Sequence, residues 1–299
     1  MTELELKEYM EGMRRLIDRV LEESLPKTTE YPPRIHEAMR YSVFAGGKRL
    51  RSILTLAAAE AAGGKAEEAL DVAAAIELIH TYSLIHDDLP AMDDDDYRRG
   101  KPTCHRVYGE AMAILAGDAL LTHAFTLLAN KGLASRMGPE ALSLLIREIA
   151  KAAGSQGMVG GQAVDILSEN KEVDLATLEY LHTHKTGALI QAAIRAGALI
   201  AKAKEEELAA LTRYGEKIGL AFQIVDDILD VEGKAEELGK SPGRNNKKNK
   251  ATYPALLGLE EAKRRAKELV VEGQEAISPL GEKGKFLRSL ASYILQRQA

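Results

Sequence analysis

The sequence contains very little cysteine. Cys104 is the only one, so a disulfide framework and a cysteine-based metal cluster are both excluded. The amino terminus, MTELELKEYMEGMRRL, lacks the basic and then apolar run of a signal peptide and the basic bias of a transit peptide. These absences lead us to expect a cytoplasmic protein in a reducing compartment.

An excess of positive charge is also missing. The chain has 40 Lys and Arg against 45 Asp and Glu, a formal net charge of −5. A mildly acidic chain is a poor general partner for nucleic acid or for an anionic membrane. The most apolar stretch, residues 111–129, contains Asp118 and His123 and is short for a membrane span. We expect no membrane span there, but a helix that is fully buried or that lies at a subunit interface.

Alternating runs of Val and Ile, which would indicate strands, do not occur. Apolar residues recur instead at helical spacing, beginning between residues 13 and 21. No linker marks a boundary, so residues 1–299 are expected to form one domain. The predicted fold class is all-α, a single large helical domain with helices around a central active-site cavity. Further helices are predicted at about 67–88, 107–130, 138–154, 174–202, 205–231, 251–276 and 284–297.

Acidic residues are concentrated in one short stretch. Residues 86–99, HDDLPAMDDDDYRR, hold six aspartates within ten positions. Two carboxylates about 4 Å apart repel by roughly 1 kcal/mol in water and by about 4 kcal/mol at an effective dielectric near 20, so a cluster held in a cleft needs cations. A plain acidic surface loop would be flanked by solvated sequence, whereas residues 73–85 are apolar at helical spacing. We therefore expect the aspartates where a core helix opens into a cavity.

A second acidic group lies within residues 222–231, FQIVDDILDV. Its polar residues fall at i, i+3, i+4 and i+7, so they form one stripe on an otherwise apolar helix: Gln223, Asp226, Asp227 and Asp230. Carboxylates on such a helix must be paired, protonated or metal-bound, because a buried uncompensated charge costs several kcal/mol. Two such helices facing one another would form an oxygen-rich site suited to Mg²⁺.

The spacing within the first acidic group requires a break in its helix. Asp87 and Asp93 are six positions apart, so in a straight helix they would point about 240° from one another and could not share a metal. Pro90 lacks an N–H and disfavours helix at Leu89. The chain is therefore predicted to leave the helix and to return Asp93 toward Asp87.

Three basic segments complement these acids. GGKRLR at 46–51 places Lys48 and Arg51 on one face, and it is not a Walker loop because the first glycine and the Ser or Thr after the lysine are missing. Arg98 and Arg99 would point about 100° apart in a helix and so could serve two different anions. Residues 239–250, GKSPGRNNKKNK, form either a solvated surface loop or a basic lid that closes on phosphate.

These motifs together resemble a known family. DDLPAMD at 87–93, DDILD at 226–230 and the GGKRLR segment resemble motifs of short-chain trans-prenyl diphosphate synthases, most closely the bacterial farnesyl diphosphate synthases. The resemblance covers nearly the whole chain and implies the isoprenoid synthase fold and a homodimer. It implies a prenyltransferase that uses Mg²⁺, or Mn²⁺ in its place, to condense isopentenyl diphosphate with dimethylallyl or geranyl diphosphate in isoprenoid biosynthesis. The implied product is farnesyl diphosphate.

The resemblance also implies roles for individual residues. Lys185, Asp87 and Asp226 would be catalytic. The implied metal ligands are Asp87, Asp88, Asp93, Asp226, Asp227 and Asp230. The isopentenyl diphosphate would contact Gly47, Lys48, Arg51, His80 and Arg99, although a lone histidine such as His80 is more often a hydrogen-bonded core residue. The allylic diphosphate would contact Arg98, Lys185, Thr186, Gln223, Lys240 and Lys250. One departure is Asn245, which stands where the family pattern has aspartate, so we expect weaker support for metal-bound water there.

Product length is expected to depend on the helix that carries Asp87. Tyr82 lies five residues before Asp87, about 7.5 Å along a helix, and Ser83 lies four residues before it. An aromatic residue at this position resembles the farnesyl synthases, so Tyr82 and Ser83 are the predicted chain-length residues. As a simple alternative, Tyr82 is a core aromatic with a hydrogen-bonded hydroxyl.

Four other functions compete with this interpretation. A geranylgeranyl diphosphate synthase would share the same machinery. A class I terpene cyclase would have no need of a second basic pocket built from Lys48, Arg51 and Arg99. A non-catalytic subunit of a heteromeric prenyl synthase would have lost aspartates that are intact here. A nucleic-acid module is least favoured, because the basic segment is short, has no aromatic residues and belongs to an acidic chain.

Overall fold

The computed structural model describes residues 1–232 and 251–296. Within these ranges the regular structure is helical apart from one hairpin of two short antiparallel strands, β1 (Tyr97–Arg98) and β2 (Lys101–Pro102). The prediction of an all-α fold is therefore confirmed.

Residues 1–232 and 251–296 form fifteen α-helices. In chain order they are α1 (Glu3–Ser24), α2 (Pro33–Val43), α3 (Leu50–Ala61), α4 (Leu70–Asp87), α5 (Cys104–Tyr108), α6 (Glu110–Leu128), α7 (Lys131–Met137), α8 (Pro139–Ala153), α9 (Met158–Ser168), α10 (Leu175–Leu181), α11 (Ala188–Ile200), α12 (Glu205–Glu232), α13 (Tyr253–Leu257), α14 (Leu259–Ala276) and α15 (Lys285–Gln296). The remaining helical segments are 3₁₀ turns at Ala66–Ala69 and Ser278–Gly284, and a π-helical segment, the π segment, at His182–Gly187.

Local sequence signals begin several of these helices. At α1, the Thr2 hydroxyl accepts from the Glu5 N–H at 3.2 Å while the Glu5 carboxylate accepts from the Thr2 N–H at 2.6 Å, which is a complete capping box. At α10, the Asp174 carboxylate accepts from the Thr177 N–H at 2.8 Å. Such caps satisfy backbone donors that a helix leaves unpaired at its first turn.

The structure divides two helices that the apolar pattern predicts as continuous. The predicted helix 174–202 is interrupted by the π segment, and the predicted helix 251–276 is broken at Gly258, whose φ is +84°. Helix α9 was not predicted, because Gly160 and Gly161 are poor helix formers. Its Gly161 instead permits a close approach to the π segment, since a Cβ there would lie 2.6 Å from the Lys185 Cα.

Helix α4 runs through the core. It is apolar around nearly its whole circumference and packs against α1, α3 and α6, as expected of a buried helix. Helices α11 and α12 pack against each other, while α11 also packs on α3 and α12 on α14. The predicted core helix is thus confirmed, and it delivers Asp87 and Asp88 at its carboxyl end.

Helix α6 is long and apolar enough to cross a membrane by length and composition, a test that core helices of soluble proteins also pass. It packs on α2, α4 and α5. The expectation that it is fully buried is wrong, because only 33% of its most apolar stretch is buried in this chain. Ile114 and Leu115 are 44% and 50% exposed. Apolar residues surround the whole helix, and α2, α4 and α5 cover only part of its surface. The alternative, that the helix lies at a subunit interface, stays a prediction.

Candidate active site

Charged side chains from five segments meet near the carboxyl end of α4. The charges of Lys185 in the π segment and of Arg98 in β1 both act to lower the pKa of the Asp87 carboxyl. The charge of Asp226 in α12 acts to raise the pKa of the Arg51 guanidinium, which lies in the first turn of α3. The two acidic groups and the basic groups that lie far apart in sequence therefore share one site.

The chain after α4 folds back on itself. The Asp93 N–H donates to the Asp87 carbonyl oxygen at 2.8 Å, and the Asp95 N–H donates to the Asp88 carbonyl oxygen at 3.1 Å. Asp94, between them, has a φ of +53°. The return of Asp93 toward Asp87 is confirmed, and it follows the helix break that Pro90 predicts.

Asp87 is held in an environment that disfavours its charge. Burial raises the pKa of the Asp87 carboxyl above its usual value, and Asp93 and Asp88 add to the effect, whereas Lys185 and Arg98 oppose it. Carboxylates crowded in this way gain from a bound cation more than a solvated carboxylate would. This is the property that a metal-binding aspartate requires.

Asp88 faces a protein cation. Arg98 Nε lies 2.9 Å from both Asp88 carboxylate oxygens, and Arg98 Nη2 donates to Oδ1 at 2.6 Å. Asp88 is only 3% exposed. A predicted metal ligand and a predicted contact of the allylic diphosphate therefore bind each other in this structure, and the pair positions Arg98 beside Asp87.

The second acidic group divides between two environments. Asp226 is half-buried and accepts from Gln223 Nε2 at 3.1 Å. Asp227 is 7% exposed and accepts from His182 Nε2 at 3.0 Å and from the Tyr253 N–H at 2.9 Å. Asp227 thus connects α12 to the π segment and to α13, while the charge of Asp226 acts on Arg51. Asp230 is half-buried one turn further along α12.

Lys185 and Thr186 lie in the π segment. Lys185 Nζ donates to Asp165 Oδ2 at 2.6 Å, and Thr186 is buried. The sequence interpretation missed Asp165 because α9 itself was not predicted. The signal that could have indicated it is the pair Gly160-Gly161 with an aspartate four residues later, which places a carboxylate one turn beyond a close helix contact.

The basic pocket is built on two glycines. Gly46 and Gly47 have φ values of +102° and +134°, and the Arg99 guanidinium donates to the Gly46 carbonyl oxygen. A Cβ on Gly47 would collide with that guanidinium. The left-handed region and this contact both require glycine, so the segment before α3 and the hairpin approach each other closely. Lys48 is exposed beside them.

His80 and Arg51 complete the basic pocket. Arg51 Nη1 and His80 Nε2 are 3.4 Å apart. Burial, followed by the charges of Arg51 and Arg99, lowers the pKa of His80 well below its usual range, so its imidazole is neutral. Burial also lowers the pKa of Arg51. Cations that are crowded and desolvated in this way favour an anionic ligand such as a diphosphate.

Tyr82 lies below the aspartates, as its spacing predicts. It is 7% exposed, and its ring packs edge-on against His86 with centroids 5.7 Å apart. Burial, and then the charge of Asp87, raise the pKa of its hydroxyl. His86 Nε2 lies 3.1 Å from the Ile114 carbonyl oxygen of α6. The Ser83 hydroxyl donates to the His80 carbonyl oxygen at 2.8 Å and is half-buried. The face of α4 that bears Tyr82 therefore looks toward α6.

Three predicted residues lie outside the described part of the chain. They are Lys240, Asn245 and Lys250. Their roles stay predictions. A cavity of about 450 Å³ between α2, α6 and the connection that follows α1 contains none of the predicted site residues, so it is not the site described above.

No three His, Cys, Asp or Glu side chains of residues 1–232 and 251–296 form a preassembled metal site. This arrangement still fits Mg²⁺, which is usually bound by one or two carboxylates together with water and substrate phosphates. Asp87, Asp93 and Asp226 offer the hard oxygen ligands that Mg²⁺ prefers, and the pKa of Asp87 is raised by burial despite the nearby cations Lys185 and Arg98.

Comparisons with known proteins identify the family. Residues 32–280 match the family described as Polyprenyl synthetase. The farnesyl diphosphate synthase of Escherichia coli strain K12 is 50% identical over 265 residues, 87% of this chain and 88% of that protein. The geranylgeranyl diphosphate synthase of Cyanophora paradoxa is 46% identical over 297 residues, 99% of this chain and 98% of that protein. The apo crystal structure of an FPP/GFPP synthase from Zymomonas mobilis is 42% identical, covers 98% of this chain and 100% of its own, and superimposes with a TM-score of 0.88.

Proposed function

This chain belongs to the polyprenyl synthetase family and is a short-chain prenyltransferase, and from that premise we propose that it makes farnesyl diphosphate. In the proposed reaction an allylic diphosphate, dimethylallyl and then geranyl, is condensed with isopentenyl diphosphate. The allylic C1–O bond breaks, a new C–C bond forms to isopentenyl diphosphate, and diphosphate and a proton are released. Two rounds of addition give a C15 product.

The observation that supports condensation is a second group of cations beside the aspartates. Lys185 lies near Asp87 and Asp93. Arg51 and Arg99 lie near His80 and, with Lys48 exposed in the segment before α3, form a basic pocket. A prenyl cyclase would need only the first of these. A second anion-binding pocket is what a second diphosphate substrate requires.

We propose Asp87, Asp93 and Asp226 as ligands for Mg²⁺, which when bound would offset the charge that grows on the leaving diphosphate. The protein's own cations act beside it. Lys185 is fixed by Asp165 at 2.6 Å and Arg98 by Asp88, so both hold positive charge near Asp87 without reorganising during the reaction. The apolar faces of α4 and α6 exclude water from the allylic tail.

The assignment of a C15 product rests on Tyr82. Its buried ring lies on the face of α4 that points to α6, within reach of the Asp87 charge, so it would stop a tail that grows away from the aspartates. A C20 product is the second candidate. It is favoured by the likeness to the Cyanophora paradoxa geranylgeranyl diphosphate synthase over 99% of this chain.

Product length tests the assignment. The enzyme is incubated with Mg²⁺, isopentenyl diphosphate and dimethylallyl diphosphate, and the dephosphorylated products are separated by chain length. We expect C15 from the unmodified enzyme, C20 or longer from Tyr82→Ala, and C15 from the control Tyr82→Phe, which retains the ring. A wild-type product of mostly C20 would favour the second candidate. A Tyr82→Ala variant that still stops at C15 would show that other residues limit the tail.

A further inference from the structure

Arg49 lies between two predicted contacts of isopentenyl diphosphate, yet its side chain is directed into the protein. It is 5% exposed, whereas Lys48 before it is exposed. Its backbone has a φ of +51°, a left-handed conformation that is unfavourable for a non-glycine residue. This reversal sends neighbouring side chains in different directions, with Lys48 to the surface and Arg49 to the core.

The Arg49 guanidinium is bonded through all three of its nitrogens. Nε donates to Asp18 Oδ1 at 2.9 Å, Nη1 to Glu77 Oε1 at 3.1 Å, and Nη2 to the Val43 carbonyl oxygen at 2.7 Å. These partners belong to α1, α4 and the end of α2. Glu77 is 2% exposed, and its Oε2 lies 2.7 Å from the Ser52 hydroxyl of α3. Four helices therefore meet at one buried ion pair.

Stability alone is a weak explanation for this pair. Replacing a buried ion pair by apolar residues of similar volume is often neutral or stabilising, because both charges are desolvated on folding. Here the unfavourable backbone conformation of Arg49 adds to that cost. Fixing the geometry of the segments that it joins is another role that such a pair can have.

The pair borders the basic pocket directly. Glu77 precedes His80 by three residues, so the two lie on neighbouring parts of one face of α4. Burial lowers the pKa of the Arg51 guanidinium, and Glu77 is the largest influence that opposes this shift. Within the described part of the chain, Arg51 Nε is buried and makes no hydrogen bond. Arg51 therefore has one buried donor without a partner, and the buried carboxylate of Glu77 lies near its guanidinium.

We propose that the Arg49–Glu77 ion pair positions the basic pocket for the diphosphate of the non-allylic substrate. Arg49 fixes the segment before α3, so that Lys48 and Arg51 converge on one anion. Glu77 offsets the repulsion between the cations that meet there. Both are positioning residues, since neither is exposed enough to contact substrate. The inference rests on the proposed condensation and adds two residues to its account.

Steady-state kinetics of Glu77→Gln test this role. The substitution preserves shape and removes the charge, so the KM for isopentenyl diphosphate should rise about tenfold or more, as expected when a binding group is misplaced by about 1 Å. The KM for geranyl diphosphate should stay within twofold. A merely structural role would lower the melting temperature and the active fraction but leave both KM values unchanged.

A second variant keeps the test valid if Glu77→Gln destabilises the protein. In Arg49→Met with Glu77→Leu both buried charges are removed, and the Asp18 carboxylate that loses its partner is 37% exposed and therefore solvated. The protein should then fold as well as the wild type while the KM for isopentenyl diphosphate stays raised. Glu148→Gln is the matched control. It breaks the Arg195–Glu148 ion pair at 2.6 Å, away from the site, and should leave both KM values unchanged.

The outcomes separate the two claims. If the wild-type enzyme does not condense the two diphosphates, the proposed function fails. If it does, and both Glu77→Gln and the double variant keep the wild-type KM for isopentenyl diphosphate, only the positioning role is overturned. Equal increases in both KM values would also overturn it, because the effect would then not be specific to the basic pocket.

Discussion

At the scale of single residues, Asp87 shows how a functional group can reduce the stability of the protein that carries it. Burial and two neighbouring carboxylates raise its pKa. Above the folded-state pKa the ionised carboxylate therefore opposes folding, and below the unfolded-state pKa this penalty is absent. The penalty is present at neutral pH and is relieved as the pH falls through the raised pKa.

Asp87→Asn should accordingly separate stability from activity. In EDTA at neutral pH we expect a higher melting temperature than that of the wild type, and the difference should shrink as the pH falls. Turnover with Mg²⁺ should drop by about 10³-fold or more, because a ligand that stabilises the developing charge is lost. Thermal melts across pH and a product assay measure both. A lower melting temperature throughout would contradict the account of Asp87.

Some site residues could be predicted from sequence and others could not. The return of Asp93 follows from Pro90 and the helix repeat, which are local properties. The pairing of Asp88 with Arg98, and of Asp227 with His182 and the Tyr253 N–H, depends on contacts between distant segments. Spacing alone cannot tell which carboxylates of a cluster face protein partners, so the six implied metal ligands looked equivalent in the sequence.

At the scale of elements, the π segment at His182–Gly187 departs most clearly from expectation. The apolar pattern across residues 174–202 is continuous and predicts one helix. A single widened turn changes the spacing of apolar residues too little to be seen in that pattern. The widened turn carries Lys185 and Thr186, and Gly161 of α9 lies directly against its backbone. Such turns are frequent at functional sites.

Gly161→Ala should disturb catalysis through this contact. The added Cβ would lie 2.6 Å from the Lys185 Cα, so the π segment must shift and move the lysine away from Asp165. We expect kcat to fall about tenfold or more. Gly12→Ala is the control, because a Cβ at that helical position meets nothing within 4 Å and should leave turnover unchanged. A Gly161→Ala variant with wild-type kcat would show that the position of the π segment is not critical.

At the scale of the whole molecule, the all-α class and the positions of most helices follow from periodicity, because each helix buries one apolar face. What periodicity cannot give is the surface against which a face packs. Helix α6 is an example, since its apolar residues surround it but α2, α4 and α5 cover only part of it. We propose that a second copy of this chain covers the exposed part in a homodimer, as the family resemblance implies.

A single charge on α6 should disrupt such a dimer. Leu115 is 50% exposed, so Leu115→Glu is tolerated in an isolated chain but would place a charge within an apolar interface. We expect the variant to elute as a monomer in size-exclusion chromatography with light scattering, whereas the wild type elutes as a dimer. Val271→Glu on α14, at 43% exposure, is the control and should leave the dimer intact. A monomeric wild type would show that α6 is not an interface.

The central claim is that one site holds two diphosphates in two ways, one through carboxylates that need a cation and one through protein cations alone. Calorimetric titration of isopentenyl diphosphate and of an unreactive allylic thiolodiphosphate, each in EDTA and in Mg²⁺, tests this directly. We expect isopentenyl diphosphate to bind with similar affinity in both buffers, because the cations Lys48, Arg51 and Arg99 form its pocket together with the neutral His80. The allylic analogue should bind about tenfold or more tightly in Mg²⁺, because Asp87 and Asp93 repel it otherwise. Allylic binding that is unaffected by EDTA, or isopentenyl diphosphate binding that requires Mg²⁺, would contradict the account.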